Sequence, residues 1–204
     1  MYNQNDLKDK GDYLRHILRR HPEELKLKMS SDGWVSTTDL LNGLVAAEKN
    51  ISLADIIAVM KKTRTMYSFK DDSCTYIRAN YGHSLGFKLE DIVGAPASPM
   101  TPLYHGTANV YIKTILQHGI LPQGRDHIFL TSDFHKACEY GMRHGVPAVI
   151  KVIIKKDLIK QVPLFHPCSH IWLAYNIPAN CISEVIEFQE EGIGESARET
   201  HHVY

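Results

Sequence analysis

The sequence predicts an α+β protein of two domains. Its 204 residues suffice for two small domains, and 44% hydrophobic with 23% charged residues is typical of a globular protein. The first half carries mostly helix-period patterns, and the second half carries mostly β-branched or alternating runs. Residues 94–102, rich in proline, support neither a helix nor a central strand. We therefore expect domains over 1–93 and 103–189, a linker over 94–102 and a polar tail over 190–204.

The first half is predicted to hold three helices and a hairpin. Apolar residues between Asp6 and His21 recur on one side of a helix, and Pro22 ends it because proline disfavours a helical residue before it. The remaining predicted elements are a short strand at 33–35, a helix over 40–47 capped by Thr37 or Thr38, a helix over 53–64 capped by Ser52, and strands over 66–69 and 75–79. This order is that of a winged-helix module, and a generic small α+β domain fits it as well.

The second half is predicted to open with Leu103-Tyr104-His105-Gly106-Thr107, where an apolar run leads a histidine and a glycine into a turn. Gly106 would let a ligand approach the backbone, His105 would offer a ring nitrogen as a donor, and Thr107 would cap a helix beginning near Asn109. The pattern suits a nucleotide cofactor, and ordinary helix capping produces it too.

Further elements follow the same reasoning. We expect the helix after Asn109 to close at Gly119, and Ser132 to cap a helix that runs to about His144 and ends at Gly145. Strands are predicted over 128–131, 149–154, 171–175 and 182–188. His201 and His202 fall in the polar tail, which we expect to be disordered.

Composition excludes several classes of protein. Lysine plus arginine equal aspartate plus glutamate at 23 each, so a polyanion must be held by locally concentrated arginines rather than by a general basic field. No window approaches the roughly 20 apolar residues that cross a bilayer. The four cysteines form no CxxC pair, no export signal is visible, and the twelve histidines lack metal-ligand spacing. We expect a cytoplasmic protein without a metal, and a monomer, since no heptad pattern is present.

Basic residues are concentrated at three places. A helical rotation of about 100° per residue puts Arg15, His16, Arg19 and Arg20 on one broad face. That face is either solvated or suited to a phosphate, since guanidinium groups match phosphate oxygens in bidentate geometry. A second group follows Arg78, and a third surrounds Arg143 at the last turn of a helix, where a cation also satisfies terminal carbonyls.

Six segments, in order and at their spacing, resemble the RNA 2′-phosphotransferase family: ILRRHPEEL, DGWVSTTDLL, IRANYGHS, LYHGT, GMRHG and HIWLA. The resemblance implies an N-terminal winged-helix lobe joined to a C-terminal lobe with the ADP-ribosyltransferase fold. It also implies a transferase that uses NAD as a co-substrate and acts on RNA bearing a 2′-phosphate, such as a tRNA-like or splice-junction RNA. In the family's reaction the 2′-phosphate attacks the nicotinamide ribose, and a ribose hydroxyl then attacks the phosphorus, releasing RNA and ADP-ribose 1″,2″-cyclic phosphate.

The resemblance assigns roles residue by residue. It implies that the phosphate and the transferring group are held at Arg19, Arg20, Arg78 and Arg143, with the RNA also contacting His83 and Ser84. It implies that NAD is anchored by His105, Gly106 and Thr107, with Gly119 and Thr131 in the same cleft. A Cβ at Gly106 is expected to stand where the carboxamide of NAD must come.

Two positions depart from the family pattern. Arg20 replaces the histidine that follows the first arginine, with His21 displaced by one residue, and an arginine does not practically exchange a proton. We therefore expect the second step to suffer more than the first, with His16 as a substitute imidazole. Phe129 replaces a second histidine and is expected to weaken NAD binding.

Two other functions fit the same residues. One is an ADP-ribosyltransferase that stops at the adduct on a nucleic-acid phosphate, which Arg20 favours. The other is a non-catalytic winged-helix module that binds nucleic acid beside a degenerate NAD pocket.

Overall fold

The chain folds as two compact units that divide between Ile92 and Val93. The computed structural model describes residues 4–99, 101–155, 157–188 and 199–203. Each unit has its own antiparallel sheet, of three strands in the first unit and seven in the second. Helices combined with antiparallel sheets agree with the α+β class expected from the sequence.

Three helices dominate the first unit: α1 (Gln4–Arg19), α2 (Thr37–Ala46) and α3 (Leu53–Thr63). As predicted, α1 ends before Pro22, after which Pro22–Leu25 form one 3-10 turn. A fourth, short helix, α4 (Leu89–Ile92), was not predicted.

Side-chain caps fix where α2 and α3 begin. Ser52 caps α3 as predicted, and Asp55 completes a capping box by accepting the Ser52 N–H at 2.8 Å. The cap of α2 is Ser36 rather than Thr37 or Thr38, because its Oγ accepts the Asp39 N–H at 3.2 Å while Thr37 is already helical.

The sheet of the first unit contains β1 (Val35–Ser36), β2 (Tyr67–Phe69) and β3 (Tyr76–Ala79), in the order β1-β3-β2. Ile77 and Ala79 of β3 pack in a core with the apolar stripe of α1, namely Leu14, Ile17 and Leu18. Since successive side chains of a strand point to opposite faces, Arg78 lies on the face away from this core.

The sheet of the second unit has the strand order β10-β9-β6-β4-β5-β8-β7. Its strands are β4 (Leu103–Ala108), β5 (Ile128–Thr131), β6 (Pro147–Val152), β7 (Phe165–Cys168), β8 (Ile171–Ala174), β9 (Ile182–Phe188) and β10 (Glu199–Val203). Strand β4 pairs with β6 over six residues, but with β5 only through Tyr104 and Thr131. Beyond that pair, residues 106–108 of β4 are not paired with β5.

Two helices accompany this sheet, α5 (Ile112–His118) and α6 (Phe134–Gly141), and a 3-10 turn over Met142–His144 continues α6. Helix α6 packs on β4 and β6 around a small core of Ala137, Val149 and Ile186. The opposite face of the sheet carries the larger core, which includes residues of α5.

Several local predictions for the second unit were wrong. Thr107 lies within β4 instead of capping a helix, and the 3-10 turn Asn109–Tyr111 that follows has no side-chain cap. Asp133, not Ser132, caps α6 by accepting the Lys136 N–H at 3.1 Å. The predicted polar tail includes β10, which pairs with β9, while residues 190–198 lie outside the described residues.

The part of the chain that the structure describes has neither a membrane-spanning helix nor a cluster of metal-ligating side chains. None of its helices has both the length and the apolar character needed to span a membrane. No group of three or more His, Cys, Asp or Glu side chains there is placed to hold a metal ion.

Candidate active site

Arg19 is a buried residue, not part of an exposed basic face. Only 5% of it is exposed, and its guanidinium lies 4.8 Å from the ring centroid of Tyr81. Its carbonyl accepts the N–H of Ser84 at 3.0 Å, so the segment that follows β3 covers the end of α1. The predicted face shared by four basic residues is therefore wrong for Arg19, whereas Arg20 is exposed just beyond the helix.

The other groups near the end of α1 are held by carboxylates. Arg15 pairs with Asp12 at 2.7 Å. His16 Nε2 lies 2.8 Å from Glu24, and His21 Nδ1 lies 3.0 Å from Glu23. These hydrogen bonds leave Nδ1 of His16 and Nε2 of His21 as the second nitrogen of each ring.

The two imidazoles beside Arg20 also stack on each other, with ring centroids 4.5 Å apart. A backbone hydrogen bond within Glu23, followed by the one from His21, lowers the pKa of the Glu23 carboxyl. Glu23 is therefore an anion that holds His21 at neutral pH. An arginine at position 20 does not practically exchange a proton, whereas one of these imidazoles follows it directly in the chain and the other lies four residues before it.

Arg78 lies against Trp34 on the outer face of the small sheet. Its guanidinium is 4.5 Å from the Trp34 ring centroid, and its Nη1 donates to the carbonyl of Asp32 at 3.1 Å. Burial lowers the pKa of Arg78, although an arginine stays charged at neutral pH. Its buried Nε has no hydrogen-bond partner among the residues described.

His83 connects the surroundings of Arg19 with those of Arg78. Its ring is fully buried against Phe87, with centroids 5.0 Å apart, and a Cβ built on Gly33 would lie 3.7 Å from its Nε2. Gly33 stands between Asp32 and Trp34, the two residues that contact Arg78. Adjacent Ser84 is exposed and donates its N–H to the carbonyl of Arg19. The segment that carries His83 and Ser84 thus lies against both the end of α1 at Arg19 and the loop around Gly33 that contacts Arg78.

In the second unit, His105 is held at the place where β4 and β5 separate. Its Nδ1 lies 2.9 Å from the carbonyl oxygen of Phe129, which can only accept, so Nδ1 carries the proton. Burial lowers the pKa of His105, and the nearby charge of His144 lowers it further, although the bond to Phe129 acts in the opposite direction. The ring is therefore neutral and its Nε2 is an acceptor, whereas the sequence analysis expected a donor.

Gly106 is required for the packing of α6 rather than for space beside a ligand. A Cβ on Gly106 would lie 1.9 Å from the carbonyl oxygen of Ala137 and 2.9 Å from the nitrogen of Gly141. Gly141 makes the reciprocal approach, since its own Cβ would lie 2.7 Å from the carbonyl oxygen of Thr107. The expectation that a Cβ would displace the carboxamide of NAD is therefore replaced by a clash with α6.

Three further residues assigned to NAD have structural partners. Thr107 is buried within β4, and Thr131 is fully buried with its Oγ accepting the Asp133 N–H at 3.1 Å. Gly119 ends α5 with φ of 79°, and a Cβ there would lie 2.2 Å from the carbonyl oxygen of Ile177. In this structure Thr131 therefore offers no exposed atom to a cofactor, and the packing of the chain accounts for Gly119.

Two residues of this region, Tyr140 and His144, were given no role from the sequence. The ring of Tyr140 meets that of Phe129 edge to face, with centroids 4.8 Å apart, and the guanidinium of Arg143 lies 4.9 Å from the Tyr140 centroid. His144 is close enough for its charge to lower the pKa of His105. Tyr140 lies on α6, three residues before Arg143 in the 3-10 turn that continues the helix, and this spacing could have pointed to it.

This arrangement in the second unit provides three types of contact. Nε2 of His105 can accept a hydrogen bond from a hydroxyl, the Phe129–Tyr140 pair is an aromatic surface, and Arg143 is an exposed cation. Residues 106–108 of β4 add a backbone edge that β5 does not use. A ligand with hydroxyls, an aromatic ring and phosphates matches this set, and a dinucleotide has all three.

Comparisons with known proteins point to one family. A family model described as RNA 2′-phosphotransferase, Tpt1 / KptA family, matches residues 8–176. A protein of Pseudomonas paraeruginosa is 33% identical over 180 residues, covering 87% of this chain and 97% of that protein. One of Acaryochloris marina is 30% identical over 182 residues, covering 88% of this chain and 97% of that protein. Both relatives are named probable RNA 2′-phosphotransferase.

Proposed function

The chain belongs to the RNA 2′-phosphotransferase family, Tpt1 / KptA, and on this premise we propose that it removes an internal 2′-phosphate from RNA in a reaction that consumes NAD. The observation that carries the proposal is the setting of His105. A neutral imidazole is fixed by the backbone carbonyl of Phe129 where β4 and β5 separate, the Phe129 ring meets that of Tyr140, and Arg143 lies over Tyr140. That set suits the hydroxyls, heterocycle and phosphates of NAD.

The first chemical step asks little of the protein. A 2′-phosphate is largely ionised near neutral pH and serves as its own nucleophile, so no general base is needed. Its oxygen bonds to the anomeric carbon of the nicotinamide ribose while the bond to nicotinamide breaks. In our proposal, Arg19 and Arg78 position the phosphate, and His105 fixes the ribose by accepting a hydrogen bond from one of its hydroxyls.

The second step needs both charge stabilisation and proton transfer. A hydroxyl of the transferred ribose attacks the phosphorus, and the 2′-oxygen of the RNA leaves, so a proton moves from one oxygen to the other. Arginines directed at the phosphoryl oxygens, Arg143 among them, would stabilise the transition state. The proton requires a titratable group, and His16 and His21, each hydrogen-bonded to a glutamate, are the groups we propose.

The test follows all three products. The purified chain is incubated with NAD and an oligonucleotide carrying one internal 2′-phosphate, and the same oligonucleotide without that phosphate serves as the control. We expect nicotinamide, RNA with a free 2′-hydroxyl and ADP-ribose 1″,2″-cyclic phosphate from the first substrate alone. A chain that binds NAD and leaves the phosphate in place would overturn the proposal.

A second candidate function is favoured by the arginine at position 20, which does not practically exchange a proton where the family has a histidine. If no group transfers the proton efficiently, the reaction stops at ADP-ribosylated RNA. Mass spectrometry of the RNA separates the two functions, because a persistent mass increase of one ADP-ribose supports the second and a rapid loss of the phosphate excludes it.

A further inference from the structure

The outer face of the three-stranded sheet carries aromatic rings and cations. Tyr76 and Arg78 point to this face because Ile77 and Ala79, which alternate with them, pack in the core. Ser68 of β2 pairs directly with Arg78, and Trp34 contacts Arg78 from the residue that precedes β1. We call these side chains, together with that of Lys70, the outer sheet face.

Each aromatic ring of the outer sheet face has its own cation. The Arg78 guanidinium lies 4.5 Å from the Trp34 centroid, and Lys70 Nζ lies 5.4 Å from the Tyr76 centroid. Tyr76 is 41% exposed, so its ring remains open to solvent beside the ammonium group. Exposed rings interleaved with cations are the arrangement on which unpaired bases stack while phosphates meet positive charge.

Two neighbouring carboxylates, those of Asp32 and Asp71, accept hydrogen bonds within their own turns. Asp32 Oδ1 accepts from Ser30 Oγ at 2.6 Å. Asp71 Oδ1 accepts from both the N–H and the Oγ1 of Thr75 at 3.2 Å. Asp71 and Asp72 lie in the turn before Tyr76, at the end of the hairpin away from Arg78. Although burial lowers the pKa of Arg78, Asp32 still lies close enough for its charge to act on that guanidinium in the opposite direction. RNA binding is therefore supported by the open ring of Tyr76, which lies beside Lys70 and on the same strand face as Arg78.

We propose that the outer sheet face binds the single-stranded RNA that flanks the 2′-phosphate, with one base stacking on Tyr76. This inference rests on the proposed function, in which Arg78 positions that phosphate. Since Tyr76 and Arg78 stand two residues apart on the same face of β3, roughly 7 Å along the strand, a neighbouring nucleotide can reach the ring. The face makes the enzyme prefer longer RNA over a minimal substrate.

The kinetic test compares two substrates and three variants. The KM values are measured for a 2′-phosphorylated dinucleotide and for a single-stranded nonanucleotide with a central 2′-phosphate. Tyr76→Ala should raise the ratio of the nonanucleotide KM to the dinucleotide KM about tenfold, and Tyr76→Phe should leave it within twofold. Tyr111→Ala is the matched control, because Tyr111 is a similarly exposed tyrosine of the second unit, at 46%. An unchanged ratio in Tyr76→Ala would overturn the inference.

A binding test does not depend on turnover. Trp34 and Trp172 are the two tryptophans of the chain, so a Trp172→Phe background leaves Trp34 as the only indole reporter. An unphosphorylated single-stranded nonanucleotide should quench its fluorescence, with about tenfold weaker binding in Tyr76→Ala. If RNA binds in this way but no substrate is turned over, the proposed function fails, and the inference that the outer sheet face binds single-stranded RNA is upheld. If duplex RNA or a protein binds there and single-stranded RNA does not, the inference is wrong.

Discussion

Replacing Gly106 by alanine distinguishes a packing role from a ligand-binding role. The added Cβ would lie 1.9 Å from the carbonyl oxygen of Ala137, where real contacts almost never fall below 3.0 Å, so α6 must retreat from β4 by about 1 Å. That movement opens the small core of Ala137, Val149 and Ile186. Overpacking a core costs about 1–3 kcal/mol, and a backbone carbonyl cannot rotate away, so we expect about 3 kcal/mol.

Thermal unfolding measures this cost. For a chain of this size about 3 kcal/mol corresponds to a fall in Tm of roughly 6–12 °C. Gly11→Ala is the matched control: its Cβ would lie 3.4 Å from Val59 Cγ1, an ordinary contact, and alanine is favoured over glycine inside a helix by about 1 kcal/mol. Replacing glycine by alanine should therefore raise Tm at Gly11 in α1 and lower Tm at Gly106 in β4.

The result that would refute this reasoning is equally specific. If Gly106→Ala unfolds at the wild-type temperature but no longer binds NAD, the glycine makes room for the ligand. The clash with α6 would then be relieved at little cost, and the interpretation from packing would be wrong.

Three further predictions concern the polar residues of the site. His105→Asn keeps a donor for the Phe129 carbonyl but loses the Nε2 acceptor, so NAD affinity measured by calorimetry should fall about tenfold. Because burial lowers the pKa of His105 below its ordinary 6.5, the neutral ring is fully present above that pH, and wild-type NAD binding should weaken as pH falls through the lowered pKa. The same pH dependence in His105→Asn would contradict this assignment. Arg20→His should accelerate breakdown of ADP-ribosylated RNA in single-turnover experiments more than its formation, and equal effects on both steps would show the idea to be mistaken. Arg143→Ala should lower kcat/KM about 100-fold with Tm nearly unchanged, because its guanidinium is exposed on Tyr140; retained turnover would place the transition-state cation elsewhere.

Local signals predicted the helices of the first unit well. Pro22 limits α1, and Ser52 with Asp55 marks the start of α3, because these effects act within one turn of the chain. Ser36 was overlooked in favour of two threonines, since a cap is defined by backbone dihedrals that three adjacent hydroxyl residues do not reveal. The edge strand β7 was missed because it contains Pro167, which is tolerated only where a strand lacks a partner on one side.

The site was harder to predict because its residues depend on distant segments. In the sequence, Gly106 looks like a turn residue. In the structure it lies in β4, where the backbone of α6, about thirty positions later in the chain, leaves no room for a side chain. Arg19 has the periodicity of a surface residue, but Tyr81 and Ser84 cover it. His105 was identified by its motif alone, and only its contact with the Phe129 carbonyl fixes which nitrogen accepts.

The bond from His105 to residue 129 has an evolutionary consequence. It uses a main-chain oxygen, which every amino acid supplies, so mutation at position 129 can change the side chain without altering the tautomer of the imidazole. A phenylalanine there, packed on Tyr140, is consistent with that freedom. If the chain binds NAD as proposed, substitutions at position 129 can therefore change the affinity for NAD while Nε2 of His105 stays the acceptor.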